Sequence, residues 1–242
     1  MHDSARPDWL LDEIAHAGRE NLDRDHALRY DSKMDASARA ETALLAALGL
    51  GPGSTLVEFG PGTGQLTVEA AGLGAHVIAV DVSAVMLAVL RDKVADHAHA
   101  NVEIVEAGFL TYERAPRSVD FVYSRFALHH LPDFWKVHAL QRIHDMLVPS
   151  GVLRLSDVVY DFEPSEAAAR LEAWCASGQD VAPSTVVEDG WGSWELAEHV
   201  RDEHSTYSWL LEAMFDRVGF EIEQCDKPDD TTANYLLRRR HP

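Results

Sequence analysis

The chain of 242 residues carries 21 Lys and Arg against 40 Asp and Glu, a formal net charge of -19, with 46% hydrophobic residues. That is enough apolar material for one globular domain, and a charged fraction of 25% with aliphatics and aromatics throughout excludes a wholly disordered chain. The acidic balance argues against binding a nucleic acid duplex or an anionic membrane, since both need clustered Lys and Arg and the only basic run is Arg238, Arg239 and Arg240 at the chain's end.

From Asp8 to about Leu50 the pattern is helical, with Trp9, Leu10, Ile14 and Ala17 on one face and Ala40, Leu44, Leu45 and Leu48 on another. Short strand-like runs then alternate with helices. Strands are expected over Thr55–Phe59, His76–Val80, Val102–Glu106, Val119–Tyr123 and Val152–Val158. Helices are expected over Leu66–Leu73, Ser83–Asp96 and Phe134–Leu147. Such alternation needs crossover connections, hence an α/β fold with a mostly parallel sheet covered on both faces. After Val159 it fails for more than fifty residues, as helices over 163–176, 194–204 and 207–218 form an insert holding four of the six tryptophans, Trp174, Trp191, Trp194 and Trp209. Two strands, Phe220–Gln224 and Ala233–Leu237, close the chain. The expected organisation is one domain: a helical cap (1–50), a ligand-binding core (51–160), a helical lid (161–215) and a closing hairpin (216–242).

The strongest local signal is Leu56-Val57-Glu58-Phe59-Gly60-Pro61-Gly62-Thr63-Gly64: an apolar strand, an acid, and glycine at alternate places before a helix. Glycines there let the backbone turn sharply and approach a ligand. The dinucleotide fingerprint would place a third glycine where Gln65 stands, and Glu58 would repel a pyrophosphate while suiting an ammonium group. The next strand ends in Asp81, whose carboxylate can accept both hydroxyls of a ribose.

These residues resemble class I S-adenosylmethionine-dependent methyltransferases of the small-molecule type. Glu58 to Gly64 is similar to the family's first motif and Asp81-Val82-Ser83 to its second. The resemblance implies a Rossmann-like, seven-stranded sheet with an antiparallel last strand, and S-adenosyl-L-methionine as cofactor with S-adenosyl-L-homocysteine as product. It implies cofactor contacts from Glu58, Gly60, Pro61, Gly62, Gly64, Asp81, Val82 and Met86, the last against adenine. Where the family often has an acid for the adenine amino group, this chain has Gly108, so adenine recognition is expected from Gly108 and Phe109.

Tyr123-Ser124-Arg125-Phe126-Ala127-Leu128-His129-His130 leaves a strand at the sheet's carboxyl edge, with Asp133 as expected cap of the next helix. The spacing is similar to the phosphobase N-methyltransferases, in which a tyrosine from the N-terminal region partners the histidine. That resemblance nominates His130 as base, Tyr30 as its partner and cofactor contact, and Ser124 in the cofactor site. Phe126, standing where that group has an acid, argues against choline-type acceptors.

The expected activity is methyl transfer to oxygen or nitrogen of a small molecule by a monomer or homodimer; the alternative is a non-catalytic nucleotide-binding module. No metal is expected, because the His129-His130 pair points apart and Glu195, His199 and Glu203 read as a charged helix face. Cys175 and Cys225 have no CxxC spacing and are expected to be reduced. No signal-peptide-like or membrane-spanning run appears, so a cytoplasmic protein is expected.

Overall fold

The computed structural model describes residues 7–18, 37–97, 99–182, 187 and 190–240. Helix α1 (Ala38–Ala47) precedes β1 (Thr55–Phe59), α2 (Gln65–Gly72), β2 (His76–Asp81), α3 (Ala84–Asp96), β3 (Val102–Glu106), β4 (Val119–Arg125), α4 (Asp133–Met146) and β5 (Leu147–Tyr160). Then follow α5 (Ala167–Ser177), α6 (Ser193–Asp202), the two-residue β6 (Thr206–Tyr207), α7 (Ser208–Val218), β7 (Phe220–Asp226) and β8 (Thr232–Arg239). The sheet runs β3-β2-β1-β4-β5-β8-β7, with β6 pairing the far end of β5. Strands β1 to β5 are mutually parallel and β8 lies antiparallel between β5 and β7. The seven-stranded path matches the sequence expectation, and β6 is a short addition to it.

Period-two alternation sends side chains to two covered faces. Val57, Phe59, Ile78 and Val80 join the main core with Leu140 and Ile143 of α4 and Leu211 and Phe215 of α7. Their neighbours Leu56 and Val77 pack the other way, with Leu45 of α1 and Leu66 and Ala70 of α2, while Ala79 meets Leu87 and Leu90 of α3. The strand ends reach the carboxyl edge between these layers, where β1 and β4 diverge to the helices on opposite faces. That divergence opens a crevice.

Three expectations need correction. The helical pattern over Asp8–Ala17 forms only one 3-10 turn, Ile14–His16, while α1 carries the helical cap. Leu10 and Leu11 pack on the main core and Glu13 is buried, so tertiary contacts override the periodicity. Asp133 does not cap α4. Pro132 holds that position, and the Asp133 carboxylate instead accepts hydrogen bonds from the buried Lys136 ammonium (2.8 Å) and the Thr206 hydroxyl (3.1 Å). The insert also divides in two. Its last helix α7 buries Leu211, Phe215 and Val218 against the sheet, ending at Gly219 with φ +98°, so only α5 and α6 stand outside the scaffold.

Candidate active site

The loop after β1 is held from both sides. Gly60 N–H donates to Val80 O, and Gly64 N–H to Pro61 O. Gly60 has φ +69°, and a Cβ there would stand 2.5 Å from the Ala127 methyl, so only glycine lets β1 and β4 exit side by side. Asp81 closes the loop from the next strand: Oδ2 accepts from Gly62 N–H (3.2 Å) and Oδ1 from Ser83 N–H (2.8 Å). Burial nevertheless pushes its carboxyl up to about 6, against the lowering effect of those N–H groups. Ser83 in turn caps α3 through Met86 N–H. Glu58 lies beneath the loop, 3% exposed, and accepts a 2.5 Å hydrogen bond from Thr67 Oγ1. Burial, opposed by Thr67 and reinforced by the Asp81 charge, pushes Glu58 up to about 7.

Above the loop lies an open cleft. Among the sequence-nominated residues, Gly60, Gly62, Asp81, Val82, Met86, Gly108, Phe109 and His130 line it. Glu58, Pro61, Gly64 and Ser124 are not in its wall. Gly64 starts α2 with φ +84°, where a Cβ would collide with Leu90, and the buried Ser124 hydroxyl has no hydrogen-bond partner among the described residues. Tyr30 lies outside the described residues. None of the four insert tryptophans is in the wall: Trp174 meets Tyr160 and His199 edge-on, and Trp209, 55% exposed, stacks on Tyr207. The expected aromatic lid therefore packs elsewhere.

The sequence reading missed Glu13. Its carboxylate, 4% exposed, reaches across the chain to accept from Leu110 N–H (3.1 and 3.2 Å) and Thr111 Oγ1 (3.4 Å), and it lines the cleft beside Gly108. A Cβ on Gly108 would collide with it, so the glycine after β3 makes room for an acid arriving from ninety-five residues earlier. No motif surrounds Glu13, and only the folded chain discloses it. Phe109 stacks on Phe59, ring centroids 4.7 Å apart, while also facing the cleft. It is both a core anchor and a wall.

At the cleft's other end the chain makes a 3-10 turn, Leu128–His130, after Phe126, whose φ of +49° is strained for a bulky side chain. Asp157 of β5, 2% exposed, sets that turn: Oδ2 accepts from Leu128 N–H (2.9 Å) and His129 N–H (3.2 Å), and Oδ1 from the His129 Nδ1. Asp157 too went unnoticed in the sequence, although an acid inside an apolar strand was a legible signal. Burial opposes the charged form of His129, but Asp157 and Glu203 outweigh it and push it up to about 10. Burial and the neighbouring His129 push His130 down to about 3.

Residues 56–151 match the model of the methyltransferase domain family. The chain carries a methyltransferase domain. An uncharacterized methyltransferase, YrrT of Bacillus subtilis, is 28% identical over 200 residues, 83% of this chain and 80% of the relative. Two solved structures share the fold. A SAM-dependent methyltransferase from Aquifex aeolicus has a TM-score of 0.59 at 17% identity, covering 89% of this chain and 98% of that one. Phosphoethanolamine N-methyltransferase 2 of Haemonchus contortus, in complex with phosphomonomethylethanolamine and S-adenosylhomocysteine, has a TM-score of 0.69 at 18% identity, covering 96% of this chain and 61% of that one. The methyltransferase segment runs from β1 into β5. It thus includes the glycine loop, Asp81 and the two histidines, but neither Glu13 nor the insert.

Proposed function

We propose that this methyltransferase transfers a methyl group from S-adenosyl-L-methionine to oxygen or nitrogen of a small-molecule acceptor. The observation that carries the reading is the Asp81 carboxylate at the end of β2, in the wall of a cleft floored by the glycine loop and flanked by Met86 and Phe109. The residues fit the cofactor: a half-buried carboxylate suits a ribose diol, two apolar side chains suit the faces of adenine, and the Glu13 carboxylate suits an exocyclic amino group. Bound there, S-adenosylmethionine supplies an electrophilic methyl group.

The chain's own part is mainly positioning and exclusion of water. Asp81 accepts the ribose hydroxyls. Gly60 and Gly62 let the backbone come close, Pro61 and Gly64 hold the loop's shape, and Val82 covers one edge. Glu58, below the loop, favours the cationic end of the cofactor. Gly108 and Phe109 shape the adenine end, with Glu13 supplying the acid that the segment after β3 lacks. Ser124, whose buried hydroxyl has no partner among the described residues, lies behind the loop. His130 faces the acceptor and takes its proton, and the base-partner and cofactor-contact roles nominated for Tyr30 rest on the sequence resemblance alone. The cleft's apolar Phe126, Ala127 and Leu131 fit a compact acceptor better than a macromolecule.

Thermal shift with S-adenosylhomocysteine against NAD, then labelled methyl transfer to a panel of small phenols, carboxylic acids and amines, tests this reading. Stabilisation by S-adenosylhomocysteine alone and turnover of at least one acceptor are expected; stabilisation by NAD alone, or binding with no transfer to any panel member, would overturn it. With an accepted substrate in hand, His130→Ala should lower turnover about a hundredfold, the lower end for a proton acceptor, while cofactor affinity stays within a few fold. Turnover within threefold of wild type would remove His130 from that role.

A further inference from the structure

Neither of the histidine-containing sets visible in the sequence is a metal site alone, but the fold combines part of each. The 3-10 turn after β4 brings His129, and α6 with the residue after it brings His199 and Glu203, so that the Nε2 of His129, a nitrogen of His199 and a Glu203 carboxylate oxygen all lie within 4.8 Å of one another. Glu203 Oε2 is 2.7 Å from His129 Nε2, 3.1 Å from His199 Nδ1 and 3.4 Å from His130 Nδ1. Three imidazoles thus crowd one oxygen atom. Despite these distances, neither Glu203 Oε2 nor His130 Nδ1 has a partner in hydrogen-bond geometry among the described residues, and both are buried.

The remaining nitrogens are engaged in the way metal-bound histidines need. His129 Nδ1 is held by the Asp157 carboxylate, and His199 Nε2 lies 2.8 Å from the Ser205 hydroxyl. Such outer partners fix the ring and leave the other nitrogen to the ion. Glu195, the third member of the helix face read in the sequence, takes no part, because its carboxylate accepts from Gly192 N–H at the start of α6.

The geometry points to a divalent transition-metal site, of zinc type, formed by His129, His199 and Glu203 with His130 beside it. Imidazole nitrogens with one carboxylate suit zinc and its first-row neighbours and not magnesium or calcium, which take oxygen sets. In a tetrahedral zinc site neighbouring ligand atoms stand about 3.3 Å apart, so the Glu203 pairs would open slightly around an ion by side-chain rotation. The ion would tie α6 to the turn that carries His130 into the cleft. It would therefore fix the insert against the acceptor end, where the sequence reading expected no metal.

Calorimetry on the full chain, stripped with chelator and titrated with zinc chloride, tests this without reference to activity. One zinc per chain with a dissociation constant in the micromolar range or tighter, and a raised melting temperature, is the expected result; His199→Ala and Glu203→Gln should each weaken it about a hundredfold or more. His199 sits on an outer helix and Glu→Gln keeps the shape, so at least one variant should fold. Cobalt(II) bound to the stripped wild type should give visible absorption that zinc abolishes. Absence of stoichiometric binding would overturn the site. So would undiminished binding in both variants, which would put the ion elsewhere, for instance on the stacked His97 and His99.

Discussion

Two carboxylates beside the glycine loop carry opposite burdens. Glu58 is nearly inaccessible and raised to about 7, so the ligand-free fold prefers its neutral form. A carboxyl raised in the folded state contributes stability that is present below its unfolded value near 4.5 and lost as pH rises through about 7. The full effect is about 3 kcal/mol. Glu58→Gln keeps an oxygen for the Thr67 hydroxyl but cannot ionise. Wild type should therefore gain stability relative to this variant as pH falls from 8 to 5, measured by urea unfolding without ligand. Parallel pH curves would show that Glu58 is not the buried acid described above. Asp81 has the contrasting duty of meeting a ligand. Asp81→Ala should cost about 1.5 to 3 kcal/mol of S-adenosylhomocysteine affinity, roughly ten- to a hundredfold, read by calorimetry.

At the scale of elements, β5 begins five residues before the strand read from the sequence, and the bulged turn of its pairing with β4 inside that extension holds Ser150 at φ +64°. A left-handed conformation costs an L residue about 1 to 2 kcal/mol that glycine escapes. The Ser150 carbonyl accepts from the Arg238 guanidinium at 2.9 Å, a bond that a change of side chain leaves intact. Ser150→Gly should therefore stabilise the protein by about 1 kcal/mol or somewhat less, since glycine also loosens the unfolded chain. Denaturant midpoints of the two proteins decide it, and a midpoint lower in the variant would mean that the serine side chain holds the turn. The insert shows the same dependence on context. Its three helices were legible as helices, but their different duties rest on which faces meet the sheet.

Across the whole molecule, long-range ties bring the flanking segments to the methyltransferase core. Arg154 of β5 grips Glu41 of α1 through two hydrogen bonds of 2.7 and 2.8 Å, both groups largely buried. Burial disfavours the charge on Arg154, and Glu41 more than compensates for it. Glu41→Ala would leave that guanidinium without its partner and should destabilise the protein by about 3 kcal/mol, whereas pairing it with Arg154→Met should restore much of the loss. Thermal unfolding of the single and double variants measures this. A double variant no more stable than the single one would place the damage in α1 packing instead.

The amino-acid sequence by itself determined the parts whose causes are local. Period-two apolar runs, the glycine loop, the strand-end acid Asp81 and the turn through Ser124 to His130 follow from backbone conformation and short-range pattern, and they sufficed for the α/β class, the mostly parallel sheet and the resemblance to methyltransferases. Tertiary structure alone decided what depends on residues far apart in the chain. Glu13 comes to lie beside Gly108 because its carboxylate accepts from the Leu110 N–H ninety-seven residues away, and helical periodicity cannot report such a contact. The insert's Trp residues lie outside the cleft wall, Trp209 on the face of α7 turned away from the sheet, and which face meets the sheet is a matter of long-range packing. His129, His199, Glu203 and Asp157 meet because the turn after β4, the end of α6 and the middle of β5 converge on one point, and convergence in space leaves no spacing to read.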